Sequence, residues 1–534
     1  MHRLLHIGTG TVACALALSG VAQGQEHEHQ MAPKVGTVSF ANSCSPAAQE
    51  TLLRGVALLH SFAYAEGVST FRQALAMDPS CAIATWGIAA LLMSNPLAGV
   101  GSSPQGAQQA QAAIAQGRRI GARTQKERDY IEAVAAYYED WANRPEPARQ
   151  RARADAFQAL AARYPDDEEA QIFAALYLGA TQSLSDQTYA TYLKAAAILE
   201  PLFARHPDHP GLAHYLIHVY DAPSIAERGL PAARRYASIA PAVPHALHMP
   251  SHIFTRVGAW SESAATNERA AAAAGAEGDA GEQLHAMDYM TYAYLQLARD
   301  GDARRVMEDA ARVAVSPSVR FSGPYGSAAI PARYAVERGD WQGAASLKPV
   351  PSAYPYAEAL TYFARGLGLA RSGNAAGAEA EAGQLARLRD TLAAAQNAYW
   401  AKEVEVSRLG VTAWAALARG RDAEAVALMR QAADDEDGRE KHIVTPGRIL
   451  PARELLGDML LELKRPGEAL VEYQASQRRE PGRFRGLLGL ARAAVASGDT
   501  VAARRYSAQL LDVAGPNNPR PELALARALV QPQR

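Results

Sequence analysis

HPGLAHYLIHVYD, residues 209–221, and PHALHMPSHIFTRVG, residues 244–258, are the two stretches whose comparison decides how this chain folds. Five histidines fall between His214 and His252, where even spacing of the 14 in 534 residues would leave about one. His214 and His218 are four apart, as are His248 and His252, and each pair therefore shares a helical face if its segment is a helix. The second pair follows the first by 34 residues, the length of one helix–turn–helix unit. Equivalent positions on neighbouring units would set four imidazoles in a two-by-two patch, with His245 on the same side.

Working outward, the unit recurs. A residue near a turn, an aromatic or apolar residue four later, another at seven and a proline at twelve appear as Gly67/Phe71/Ala74/Pro79 and Arg153/Phe157/Leu160/Pro165. The same offsets return as Ala195/Leu199/Leu202/Pro207, Gly229/Ala233/Tyr236/Pro241 and Ala469/Tyr473/Ser476/Pro481. Proline ends each helix because it lacks the amide donor and crowds the preceding turn. Between paired helices, Gly301-Asp302, Gly339-Asp340, Gly373-Asn374 and Gly498-Asp499 read as turns in which glycine closes one helix and Asp or Asn caps the next. Val257-Gly258-Ala259-Trp260 repeats the device, which puts His248 and His252 on the first helix of their unit.

On these offsets the chain resembles the tetratricopeptide repeat family over most of residues 47–530. The resemblance implies an all-α fold, a right-handed superhelix of antiparallel helix pairs, whose concave surface is lined by first helices and takes peptides. It also implies that the inward face of a first helix carries side chains spaced as His245, His248 and His252 are. The histidine block is similar to one found in exported bacterial repeat proteins, a likeness that brings no activity with it. Residues 47–315 are expected to form an N-terminal solenoid carrying the cluster, and residues 356–530 a C-terminal one. Residues 316–355, rich in Pro, Ser and Gly, are expected to be connectors with one helix pair.

The chain begins as an export leader. His2 and Arg3 precede an apolar run through Leu18, and Ala22-Gln23-Gly24 supplies the small-x-small end, so residues 1–24 read as a signal peptide, too short for a membrane span. A lipoprotein reading on Cys14 is disfavoured because the apolar run continues past that residue. Residues 25–46 are expected to be a mobile tail, in which His27 would be third after cleavage and could chelate copper or nickel with the new amino terminus. A secreted or periplasmic location follows, and with it a Cys44–Cys81 disulfide, the even pair left in an oxidising compartment.

Lys plus Arg is 54 and Asp plus Glu 55, so no overall field draws nucleic acid, and the run Arg478, Arg479, Arg483, Arg485 reads as a solvated edge. Walker, dinucleotide-turn, G-x-S-x-G and CxxC motifs are missing from the sequence. The histidines then carry the functional reading. Neutral imidazoles at i, i+4 can hold one ion from a single helix, and an all-nitrogen set suits copper or zinc better than calcium or magnesium. His214, His218, His245, His248, His252 and His285 are the expected ligands, with Asp221, Asp288, Tyr215 or Tyr289 completing or orienting the set. His60, His206, His209 and His442 are expected to be core or capping residues. Pro250 stands between His248 and His252, where it either kinks the helix or starts it. Two other readings stay open: a metal-dependent enzyme, by copper redox or zinc hydrolysis with Asp221 or Asp288 as base, and a metal-free peptide groove lined by Tyr215, Tyr220, Tyr289 and Tyr292.

Overall fold

The helices come in pairs joined by turns of about three residues, too short for any arrangement but antiparallel packing of each helix on the one before. The computed structural model describes residues 34–315 and 321–530, so the expected leader, Cys14, His27 and His29 lie outside the described residues. The described residues belong to one unit. Among them there is no strand, and no helix is long and apolar enough to cross a membrane. The chain is thus an all-α array of antiparallel helix pairs, as the resemblance implies.

The five recurring offsets fall on second helices. Tyr64–Met77 ends two residues before Pro79, and Pro466–Arg479 ends two residues before Pro481. The aromatic positions pack between small residues of adjoining first helices. An added Cβ at Gly55 or Gly87 would meet the Phe71 ring at 2.9 or 2.3 Å, and one at Gly457 or Gly489 would meet Tyr473 at 2.7 or 2.3 Å. One large ring fastened between small residues of two units is how the core passes from repeat to repeat.

Turns share one closure, in which an amide bonds the carbonyl five residues back across a left-handed residue, as Ala259 N to Phe254 O (2.8 Å) across Gly258 at φ 73°. Gly258 is doubly constrained, since a Cβ there would meet the Pro481 carbonyl at 2.7 Å. Gly339-Asp340, Gly373-Asn374 and Gly498-Asp499 follow the expectation, with Asp or Asn as the capping residue. Gly301-Asp302 does not. The left-handed residue there is Ala298 (φ 55°), and Gly301 and Asp302 sit in the first turn of Asp300–Ala310, where acidic side chains complement the helix dipole.

Residues 34–46, expected as the end of a mobile tail, are packed on the body. Phe40 stacks on Trp86 at 5.2 Å, Thr37 N donates to Asp208 O (3.1 Å), and Cys44 is bonded to Cys81. The apolar residues Val35 and Phe40 and this covalent tie outweigh the segment's lack of periodicity. Within residues 316–355 the described part forms Ser322–Glu337 and the short Trp341–Ala345. The expected solvated edge holds at Arg478, which is exposed, and is corrected at Arg483, which is wholly buried, its guanidinium donating to Glu337 (2.7 Å), to Glu454 (2.7 and 3.1 Å) and to the Tyr292 hydroxyl.

A long connector then returns across the array. Between Asp422–Asp437 and Ala452–Glu462 the chain bonds back to the N-terminal half, with Glu440 N on Leu184 O (2.7 Å), Lys441 Nζ on Asp221 (3.2 Å) and His442 Nε2 on Ala98 O (3.0 Å).

Candidate metal centre

Helix Pro210–Tyr220 begins at His209, whose imidazole accepts the Leu212 amide (3.3 Å), with Pro210 at the first helical position. It presents His214 and His218 together. The next first helix is written in two parts, Pro244–His248 and Pro250–Arg256, yet Met249 between them keeps helical angles (φ −53°, ψ −36°). Pro250 therefore does not break the helical path, and the His248/His252 pair survives, its two Nε2 atoms 3.1 Å apart. His214 and His218 hold their Nε2 atoms at the same 3.1 Å. His285 comes from Ala280–Gln296 and lies beside His248, the rings tilted by 49° with centroids 4.4 Å apart.

The structure sorts the six expected ligands into two triads, His214/His218/His245 and His248/His252/His285, the ligand atoms of each within 4.8 Å of one another. The expected four-histidine patch around one ion is thus replaced by two sets of three. The expectation of an open groove is also overturned: His214, His218, His248, His252 and His285 are 0–7% exposed. The returning connector meets the second triad at Tyr289, whose hydroxyl donates to the carbonyls of Ile443 (3.3 Å) and Thr445 (3.2 Å), while His214 packs against Phe62 and Tyr236.

Hydrogen bonds assign the protons. Asn267 donates its Nδ2 to Ser263 O (2.7 Å), so its Oδ1 accepts from His248 Nδ1 (2.7 Å). The Asp221 carboxylate accepts from His252 Nδ1 at 2.8 Å. Both imidazoles thus carry their proton on Nδ1, and two unprotonated Nε2 atoms face each other at 3.1 Å in a buried site, with the Tyr289 hydroxyl 3.4 Å from that of His252. Facing acceptors repel unless a cation lies between them. Two nitrogens that far apart, each about 2.0–2.1 Å from one ion, subtend roughly 95–100°, an ordinary angle between neighbouring ligands. Carboxylate and amide on the far nitrogens are the supports that metal-bound histidines use.

Burial lowers the pKa of His248 and His252, in His252 against the opposing Asp221 hydrogen bond, and brings His285 down to about 3. All three are neutral near pH 7 and able to ligate. Burial works against the Asp221 charge, but Lys441 and Arg256 beside it hold its carboxyl well below the usual range. Lys441, buried with it, is brought down to about 8.

Two expected orienting residues are employed elsewhere. Asp288 pairs with buried Arg333 (3.0 Å), and Tyr215 hydrogen-bonds His60 Nδ1 (2.9 Å). Tyr289 does lie at the site, its hydroxyl 3.4 Å from His252 Nε2. Sequence reasoning missed Asn267 and Glu282, each an ordinary polar helix residue. It also missed residues 441–445, which lie some 190 positions beyond His252 with no local motif to announce them.

A third group, His60, Glu169 and His209, shows what a satisfied cluster looks like. Glu169 accepts from both Nε2 atoms (2.8 and 3.0 Å), His60 Nδ1 takes the Tyr215 hydroxyl, and His209 Nδ1 takes the Leu212 amide. No lone pair is left over, so these two histidines are core and capping residues. His206 is a half-exposed partner of Glu168 (2.7 Å).

No family model matches the chain, and no curated protein does. Among solved structures it is similar to human IFIT1 as a dimer with PPP-AAAA: 12% identity over 77% of this chain and 87% of that one, TM-score 0.33. It is also similar to the APC/C hetero-tetramer Cut9-Hcn1 (12%, 91% and 97%, 0.30) and to Naa15/Naa10 bound to HypK-THB (10%, 90% and 91%, 0.25). These are likenesses of helical-repeat fold alone and assign no ligand.

His442, outside both triads, makes the buried histidines' effect on stability measurable. Its Nε2–H donates to Ala98 O and its Nδ1 accepts the Val444 amide (3.2 Å), so only the neutral ring fits. Burial brings its pKa from 6.5 to about 4, the Ala98 bond opposing and Lys441 adding to the fall. The unfolded chain takes up this proton below about pH 6.5 while the folded chain refuses it down to about 4. Folding stability is therefore full above pH 6.5 and falls on acidification through that window, by about 3 kcal/mol from this residue. In urea titrations at pH 7 and pH 4, His442→Gln is expected to shed about 3 kcal/mol less than the parent. Equal losses would show that His442 is not held neutral.

Proposed function

We propose that this helical-repeat protein holds a zinc or copper ion on His248, His252 and His285. The observation that carries the reading is the confrontation of two unprotonated Nε2 atoms whose other nitrogens are committed to Asn267 and Asp221. An ion converts that repulsion into two bonds, and His285 supplies a third nitrogen from the adjoining helix. Three protein ligands leave one position open, as catalytic sites do. A cavity of about 40 Å³ adjoins it, bordered by His252 and His285. That cavity favours a second reading, metal-dependent turnover, for which activity rising in step with metal loading would be the sign. The expected leader and the oxidised cysteine pair support a working place outside the cytoplasm.

The test uses full-length, tag-free protein, stripped with a chelator and titrated with zinc or copper. His252→Gln and His285→Gln should weaken binding by more than the roughly 10–100-fold expected of an orienting change such as Asn267→Ala. His442→Gln should leave it unaltered. Circular dichroism must accompany each titration, since the ligands are buried and their loss affects packing. A folded parent that retains neither metal would sink the proposal.

A further inference from the structure

The first triad has an unmet valence of its own, on separate evidence and at different atoms. His214 Nδ1 can only donate to the His60 carbonyl (2.6 Å), so its Nε2 is an acceptor, able to take a proton from His218 Nε2. His245 Nδ1 donates to Glu282 (3.2 Å), and its Nε2 is buried with no partner. His218 places Nε2 3.1 Å from that of His214 and leaves Nδ1 without a partner. Unlike His60/Glu169/His209, this set contains nitrogens that nothing in the protein satisfies, and a buried orphan of this kind calls for an ion or water.

The two triads adjoin. The His218 and His252 rings lie 5.9 Å apart and those of His245 and His248 6.2 Å apart. The small cavity borders both sets, touching His218 and His245 of one and His252 and His285 of the other. Its volume of about 40 Å³ admits one or two water-sized molecules. Charge narrows the occupant. Imidazole ligands bring no negative charge against two dications, and of the adjacent carboxylates Asp221 is already shared with Arg256 and Lys441 while Glu282 receives His245. Uncompensated charge in a buried site is costly, so a small anion belongs between the ions.

We infer that the six histidines form a two-ion centre, one transition-metal ion per triad, bridged in this cavity by hydroxide or another anion of that size. The inference rests on the proposed metal site and adds the second ion and the bridge. Copper(II) is the probe, because two bridged copper(II) ions couple their spins. Stripped full-length protein carrying His27→Gln and His29→Gln, so that the terminal histidines take no copper, should after loading and desalting hold two coppers per chain with most of the paramagnetic resonance signal lost, and azide should shift its absorption. The double variants His214→Gln/His218→Gln and His248→Gln/His252→Gln should each hold one copper with its full signal. One copper in the folded parent, or two with undiminished signals, would overturn the two-ion centre while leaving the single site standing; two without an azide response would overturn the bridge. No copper in the parent would overturn the underlying site as well. A folded double variant that loses both ions would show that the triads are not separate sites. Should a variant not fold, copper count, signal and azide response of the parent decide by themselves.

Discussion

Replacing Arg483 with Met is expected to cost about 3–5 kcal/mol of folding stability, the usual penalty for removing one partner of a buried ion pair. The guanidinium is fully buried and is hydrogen-bonded to Glu337, Glu454 and the Tyr292 hydroxyl. Without it two buried carboxylates face each other with no cation between them. Burial raises the pKa of Glu454 and Arg483 opposes that rise, so the variant should also take up a proton on this carboxyl at higher pH. Adding Glu454→Gln should restore part of the stability by removing one stranded charge. Urea titrations of the parent and both variants supply the numbers, and a single-variant loss below about 1 kcal/mol would mean that the pair contributes little beyond its own desolvation.

Removing the Cys44–Cys81 bond, by Ala at both positions, is expected to cost about 3–4 kcal/mol, the chain-entropy value for a loop with a separation of 37 residues. The consequence is local as well, because the bond ties residues 34–46 to the turn before Ile83–Leu91. Protease sensitivity should therefore rise first in that segment. Peptide mapping without reduction should recover the two cysteines joined. Two freely alkylated thiols in the oxidised protein, or an unchanged unfolding midpoint in the variant, would contradict this account.

What the sequence by itself determined was whatever depends on near neighbours. The offset pattern around Phe71, Phe157 and Tyr473 marked second helices because aromatic spacing and a terminal proline act within one turn of helix. The 34-residue shift and i, i+4 spacing placed each histidine pair on one face for the same reason, and Pro250 did not undo it. Where local chemistry was ambiguous the reading slipped, as at Gly301-Asp302, which looked like a turn and lies within a helix. Tertiary structure alone decided the rest. His252 shares its cavity with Ile443 and Val444, some 190 residues farther along the chain, and Arg483 looked solvated because its carboxylate partner Glu337 lies 146 positions away. The division into two triads depends on His245 and His285 meeting different pairs. Asn267 and Asp221 fix the tautomers of His248 and His252 by hydrogen bonds that only packed helices create. Sequence spacing specifies which face of a helix a side chain occupies; which face of which other helix it meets is settled by the packing of the whole core.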